Sequence, residues 1–357
     1  MRATWSIVFA VVGLAAGLGA QSVEAPPLAE ALRAECEQFR KDHAIVGLAV
    51  AVIERGELVF EGAFGERDRE AKLAAEPGTL FRLASVSKPV TAAVAMQLVE
   101  KGELDLDASV SRFVEGLEPK LGALTLRRLL SHTSGLRHYR ADRADNGTVH
   151  RTTREALELF AHDPFVAEPG TRYSYSTHAF TLAVAAIEGA SKRDFRTLLR
   201  ENVAAKYAPA LDCEVAGEAK SARSALYEKL PAGIVMRSEP RENLSWKYGG
   251  GGLECTAADL ARFANAVASA KVVSEASRDA LWTRTKLADG TSVDYGLGWT
   301  VGDKAKLASH SGSQQGASSS LSVAIERGLV IAILSNTQNG GAPELAPKLR
   351  EHLARAK

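Results

Sequence analysis

Val46-Gly-Leu-Ala-Val-Ala-Val-Ile53 and Leu329-Val-Ile-Ala-Ile-Leu334 are the stretches that decide the fold. Each is a short, continuous apolar run rich in β-branched residues, the pattern of a strand buried on both faces. They lie near opposite ends of the chain. After the first, Glu54-Arg55-Gly56-Glu57 reads as a turn and Leu58–Phe64 as a returning strand, so the N-terminal part holds a hairpin. Before the second, Ser319–Ile325 reads as a strand and Arg327-Gly328 as the turn between them, with a further strand at Tyr295–Val301. Leu28, Leu32, Cys36 and Phe39 recur at helical spacing and predict a helix over 28–42. Further helices are expected near 88–101, 125–131, 154–162, 178–190, 194–206, 257–269 and 343–355. The polar stretch 137–153 reads as a surface loop. Strands at both ends with helices between predict an α/β chain of the α+β type. One antiparallel sheet is built from N- and C-terminal strands and flanked by helices, with a helical subdomain inserted over roughly 105–220. A cleft between the two lobes is the expected place for a small-molecule site.

Charge and composition exclude several functions. The 357 residues carry 44 basic and 43 acidic side chains, for a formal net charge of +1. That balance favours neither nucleic acid nor an anionic membrane surface as a partner. His138, His150, His162 and His178 show no metal-ligand spacing to an acidic or cysteine partner. The glycine run 249–252 lacks the Gly-Lys-Ser/Thr of a phosphate loop, and close backbone packing near a cleft is the better reading. No metal or cofactor is therefore expected. Cys36, Cys213 and Cys255 leave open one disulfide with one free thiol, or three separate thiols.

The first twenty residues stand apart. Arg2 gives a positive start, Ile7–Leu18 is an apolar run, and Gly19-Ala20 precedes a polar segment. This is the layout of a secretory signal peptide cut after Ala20, which predicts export to the periplasm or medium. An uncleaved membrane anchor is the alternative, but the run is shorter than the ~20 residues a spanning helix needs. Residues 21–357 then form a single domain with no stable membrane insertion.

The chemistry begins at Ser85-Val86-Ser87-Lys88, followed by Pro89 and an apolar helical run. Residues three apart share a helix face, so Lys88 reaches the Ser85 hydroxyl if the helix starts at Ser85. A serine at a helix N-terminus also meets backbone N–H groups that favour developing negative charge. Alone the pattern is weak, because an N-cap serine before a solvated lysine looks the same. Pro169–Thr177, with Tyr175 and Thr177 two apart, and His310-Ser311-Gly312 on a strand add to it. His132, in Ser131-His-Thr-Ser-Gly135, reads as a structural helix-end histidine bonding nearby carbonyls.

Together these motifs resemble the penicillin-recognising serine hydrolases, in the branch of class C β-lactamases, D-alanyl-D-alanine carboxypeptidases and related esterases. Leu129–Leu136, Gly249–Leu253 and Thr256–Leu260 belong to the same pattern. Arg137-His-Tyr139, Trp246-Lys247 and Gly316–Ser319 are shared with its mitochondrial serine beta-lactamase-like members. The resemblance covers nearly all of residues 21–357 and implies a β-lactamase-like fold. It implies Ser85 as nucleophile, with Lys88 and Tyr175 as proton-transfer partners. A cation at Lys88 is expected to lower the Tyr175 pKa, and which of the two is the base stays open. The oxyanion hole is expected from the backbone N–H groups of Ser85 and Ser313. Thr177, His310, Ser311 and Gly312 are the expected substrate-binding residues. Thr177 stands where most β-lactamases carry Asn, and His310, partly charged near neutrality, stands where they carry Lys. Both departures favour a peptidase or esterase, acting on a small-molecule or peptide substrate, over an efficient β-lactamase. A weakly catalytic or non-catalytic protein that self-assembles or binds is the alternative, and monomer or homo-oligomer stays open.

Overall fold

The computed structural model describes residues 27–139, 148–302 and 307–355. The expected leader, and residues 140–147 of the polar loop, lie outside the described residues. The strands of the main sheet are β1 (Gly47–Glu54), β2 (Glu57–Asp68), β3 (Leu73–Ala74), β4 (Thr300–Val301), β5 (Leu307–Gln314), β6 (Ala317–Ala324) and β7 (Leu329–Ser335). They pair antiparallel in the order β4-β5-β6-β7-β1-β2-β3. The two apolar runs are thus neighbours, with Val50 opposite Ile333. Neither run forms a sheet with purely local partners, so the C-terminal hairpin and the N-terminal hairpin complete each other.

The alternation of the strands sorts their side chains into two layers. Leu48, Val50, Val52, Ile331 and Ile333 pack with Leu32 and Phe39 of α1 (Pro27–Asp42) and with Leu345 and Leu349 of the C-terminal helix (Ala342–Arg355). Ala49, Ala51, Ile53, Val330, Ala332 and Leu334 join the larger core on the other side. That core holds Val90 and Val94 of α2 (Ser87–Glu100), and Leu260 and Phe263 of the helix Ala257–Ala268. Each fully buried aliphatic side chain contributes on the order of 1.5–3 kcal/mol. α2 is apolar all round because it runs through the middle of this core.

Between α2 and Asp212 the described residues form helices and turns but no strand. α3 (Leu126–Leu130) and α4 (Thr177–Ser191) are the helices there that reach the site. Three expectations need correction. Tyr295–Val301 is not a continuous strand: only Thr300–Val301 pairs, and Tyr295 folds back to bridge Thr300. Gly298, at φ +77°, turns the chain so that its N–H donates to Leu130 O at 2.9 Å. The helix expected over 154–162 is regular only at Thr153–Leu157. The one over 194–206 is broken by a wide π turn at Arg200–Ala204. All three cysteines are buried free thiols, so the disulfide alternative does not hold.

A second, small sheet pairs Phe81–Arg82 with Leu253–Cys255, and that strand with Asp212–Cys213. Arg82 is 2% exposed. Its guanidinium makes a two-pronged bond to Glu214 at 2.8 and 2.7 Å and donates to Gln315 O at 3.1 Å. Burial alone would raise the Glu214 pKa, but Arg82 and Arg241 hold it down at about 2. This pair ties the strand that leads into Ser85 to the far end of β5. Removing one partner of such a pair strands a buried charge, at a cost of about 3–5 kcal/mol. Glu214→Gln is expected to lower the urea midpoint by that much stability, with an unchanged denaturant slope. An unchanged midpoint would contradict this account.

Candidate active site

Ser85 sits in a single 3₁₀ turn, Ala84–Val86, and the helix expected near 88–101 runs over Ser87–Glu100, so regular helix does not start at Ser85 itself. Ala84 is left-handed at φ +49°, a backbone state that costs a non-glycine residue on the order of 1 kcal/mol. The turn still brings Lys88 back under the serine: Lys88 Nζ is 3.1 Å from Ser85 Oγ. Lys88 is fully buried. Its Nζ donates to Gly250 O at 2.6 Å and lies 3.4 Å from Thr177 Oγ1. It also stands 4.8 Å from the centre of the Tyr175 ring.

Tyr175 and Thr177 flank the start of α4. Ser176 caps that helix, its hydroxyl accepting from Ala179 N–H at 3.1 Å. The cap fixes the residues on either side of it, and both come to face Lys88. The Ser85 side chain is close enough to the Tyr175 hydroxyl to draw its pKa down. His132 Nδ1 accepts from Ser176 N–H at 3.1 Å, and its ring lies 4.2 Å from that of Tyr175. The expected carbonyl partner of His132 is therefore wrong. Its acceptor nitrogen holds the α4 cap, and its Nε2 has no hydrogen-bond partner among the described residues.

β5 closes the site from the sheet side. His310 and Gly312 point inward, whereas Ser311 and Ser313 are exposed. A Cβ on Gly312 would stand 2.6 Å from Leu83 O and 2.9 Å from Ala84 Cβ, so only glycine lets the strand lie on the nucleophile turn. His310 Nδ1 donates to Ser311 O at 2.7 Å, and Nε2 accepts from Tyr295 O–H at 2.9 Å. Burial, with Lys88 nearby, pushes the His310 pKa down to about 3. The sequence reading of a partly charged histidine is thus corrected to a neutral ring that holds Tyr295.

The electrostatics of the pair also reverse the expectation. Burial, and after it the Lys247 charge, pushes the Lys88 pKa well below the usual lysine value. Burial raises the Tyr175 phenol above the usual tyrosine range, more than the nearby Ser85 side chain lowers it. Both charged forms lose hydration here and no carboxylate compensates, so neutral amine and neutral phenol are favoured. A neutral amine has two N–H donors and one lone pair. Those match Gly250 O, Thr177 Oγ1 and the Ser85 hydroxyl in turn.

Sequence reasoning did not identify the Gly250 carbonyl or Tyr295 as parts of the site. The glycine run signalled close packing, but nothing in the residue code tells which carbonyl meets a lysine. Among the described residues no group of three metal-ligating side chains is present.

The family model described as "Beta-lactamase" matches residues 32–355. Penicillin-binding protein 4* of Bacillus subtilis is 27% identical, over 89% of this chain and 74% of its own. Esterase EstB of Burkholderia gladioli is 35% identical over 43% of this chain and 44% of its own. The mitochondrial serine beta-lactamase-like protein of Bos taurus is 25% identical over 85% and 75%. Among solved structures, a D-amino acid amidase from Ochrobactrum anthropi superposes with a TM-score of 0.82 at 20% identity, covering 93% of this chain and all of that one.

Gly312→Ala is expected to push the Ala84–Val86 turn off β5 while the protein stays folded. A displacement of about 1 Å costs on the order of 100-fold in rate. The check is kcat/KM for an activated aryl ester alongside far-UV circular dichroism. A folded variant of normal activity would contradict the packing argument.

Proposed function

The chain belongs to the beta-lactamase family of penicillin-recognising serine hydrolases, and we propose that it cleaves amide or ester bonds through a Ser85 acyl-enzyme, as a peptidase or esterase. The observation that carries this reading is the 3.1 Å contact between Ser85 Oγ and a buried Lys88 Nζ that has no ion-pair partner among the described residues.

Lys88 is the base. Its lone pair takes the Ser85 proton as Oγ attacks the carbonyl carbon, and the charge that appears on Lys88 lies over the Tyr175 ring. The tetrahedral oxyanion is received by the backbone N–H groups of Ser85 and Ser313. Tyr175, protonated at rest, gives its proton to the leaving nitrogen or oxygen as that bond breaks, and recovers one from Lys88. The net transfer is one proton from Ser85 to the leaving group. In deacylation water takes the place of the leaving group: it loses a proton to the same pair, attacks the acyl carbon, and Ser85 is reprotonated. Thr177 orients Lys88 and borders the substrate, and Ser311 and Gly312 form the rim of β5.

Two features favour peptidase or esterase action over efficient β-lactam hydrolysis. Thr177 offers one short hydroxyl in place of a carboxamide. His310, neutral and engaged with Tyr295, puts no cation on β5. The similarity to a penicillin-binding protein and to an esterase supports the same range of substrates. Residues 1–20 are proposed to direct export, so that hydrolysis takes place outside the cytoplasm.

The test is the intact mass of the protein after exposure to a fluorophosphonate. One adduct is expected on the wild type and none on Ser85→Ala. Lys88→Met is expected to slow labelling by several orders of magnitude, because nucleophile and base act as a unit. Equal labelling of wild type and Ser85→Ala, or none of a folded wild type, would overturn the proposal.

A further inference from the structure

Beside Ser313 lies a second cavity, of about 270 Å³, lined by Tyr139, Lys247, Gln314, Glu228 and Glu242 among others. Lys247 is its unusual member. It is 3% exposed, yet it forms no ion pair or hydrogen bond among the described residues. Its ammonium lies 5.3 Å from the Tyr139 ring centre and 4.9 Å from that of Trp246. Aromatic faces offset part of the cost of drying a cation but leave its N–H donors without acceptors. Neither Glu228 nor Glu242 pairs with it. The Glu242 backbone is fixed at the cavity edge: its N–H donates to Gln315 Oε1 and its carbonyl accepts from Arg82.

Lys247 is also close to the chemistry. A Cβ placed on Gly251 would lie 3.3 Å from the Gln314 carboxamide, 3.7 Å from the Lys247 stem and 3.8 Å from the carbonyl carbon of Ala84, the residue before the nucleophile, so all three surround that glycine. Gln314 lines the same cavity, and its Nε2 likewise has no acceptor among the described residues. Two donors that lack acceptors among the described residues, one of them cationic, border this cavity and fit a ligand that brings acceptors and negative charge together. A carboxylate does both, since it is acceptor-only and anionic.

We infer that Lys247 selects substrates bearing a free carboxylate, which docks in the cavity next to Ser313 while the scissile carbonyl sits at Ser85. This rests on the hydrolase reading above and names its substrate class. The cation that β5 lacks at His310 is supplied from the opposite wall, ahead of the glycine run. A carboxylate held there occupies a different place from one held by a cation on β5.

The test compares two matched pairs of esters on wild type, Lys247→Met and Lys247→Arg. One pair carries the charge on the leaving half, m-acetoxybenzoate against its methyl ester. The other carries it on the acyl half, phenyl hydrogen glutarate against phenyl pentanoate. In at least one pair, Lys247→Met is expected to raise KM for the charged ester by about tenfold or more, as for loss of a charge-assisted hydrogen bond. KM for its neutral twin should change by less than about threefold, and Lys247→Arg should restore the preference. Any effect of the Lys247 charge on Lys88 alters kcat for both members of a pair alike, so it cannot imitate this split. Equal losses for charged and neutral esters, or no loss for either, would overturn the inference. If wild type hydrolyses none of the esters, fluorophosphonate labelling decides the acyl-enzyme reading, and Lys247 is judged by calorimetric titration with m-hydroxybenzoate and with glutarate. Binding to wild type that Lys247→Met abolishes supports the carboxylate site, and equal or absent binding to both proteins overturns it.

Discussion

The site depends on an amine held in a dry place with no acid beside it. Lys88 is enclosed by α4, the glycine run and the Tyr175 ring, and among the described residues it has no ion-pair partner. A lysine on a protein surface is an ammonium and cannot take a proton from serine. Burial removes that obstacle by making the charged form costly. The same burial that lowers Lys88 raises Tyr175, so base and acid are set apart by one cause. It also neutralises His310, which then serves as a hydrogen-bond acceptor for Tyr295.

Holding that amine in place takes the whole fold. Lys88 is part of α2, which is fixed by the core between the sheet and the helix Ala257–Ala268. Thr177 and Tyr175 are fixed by the Ser176 cap and by His132. β5 reaches the nucleophile turn only because Gly312 has no side chain. β5 itself stays in register through β6 and β7, which pair with the N-terminal hairpin. The strain at Ala84 is carried by these surroundings, with Ser319 Oγ donating to Leu83 O at 2.6 Å just before it.

Much of this was legible in the sequence. Val46–Ile53 and Leu329–Leu334 could only be buried strands, and the three-residue spacing of Ser85 and Lys88 put both on one helical face. Strand order was not legible, because it depends on which distant runs share a face. Tyr295–Val301 looked like a strand from its apolar residues, but Gly298 and the pull of Leu130 O turn it back. The charge states of Lys88, Tyr175 and His310 were misjudged for one reason. Each is set by the loss of water, and burial is contributed by segments far away in the chain. Trp246-Lys247 stood out as a motif, but the setting of Lys247 was not legible: Tyr139 and Gln314 come to it from more than sixty positions away on either side. The expected leader lies outside the described residues, and export remains a proposal.

The central claim is that Lys88 is neutral at rest. It is read most directly by NMR of lysine side-chain nitrogens in ¹⁵N-labelled protein, with Lys88→Met to assign the signal, over a pH titration. The account predicts that one lysine, absent in the variant, keeps an amine shift at neutral pH. On acidification that lysine should become an ammonium, at a pH well below the ordinary lysine value. An ammonium signal for Lys88 that persists into the ordinary lysine range would contradict the account and would place the base elsewhere.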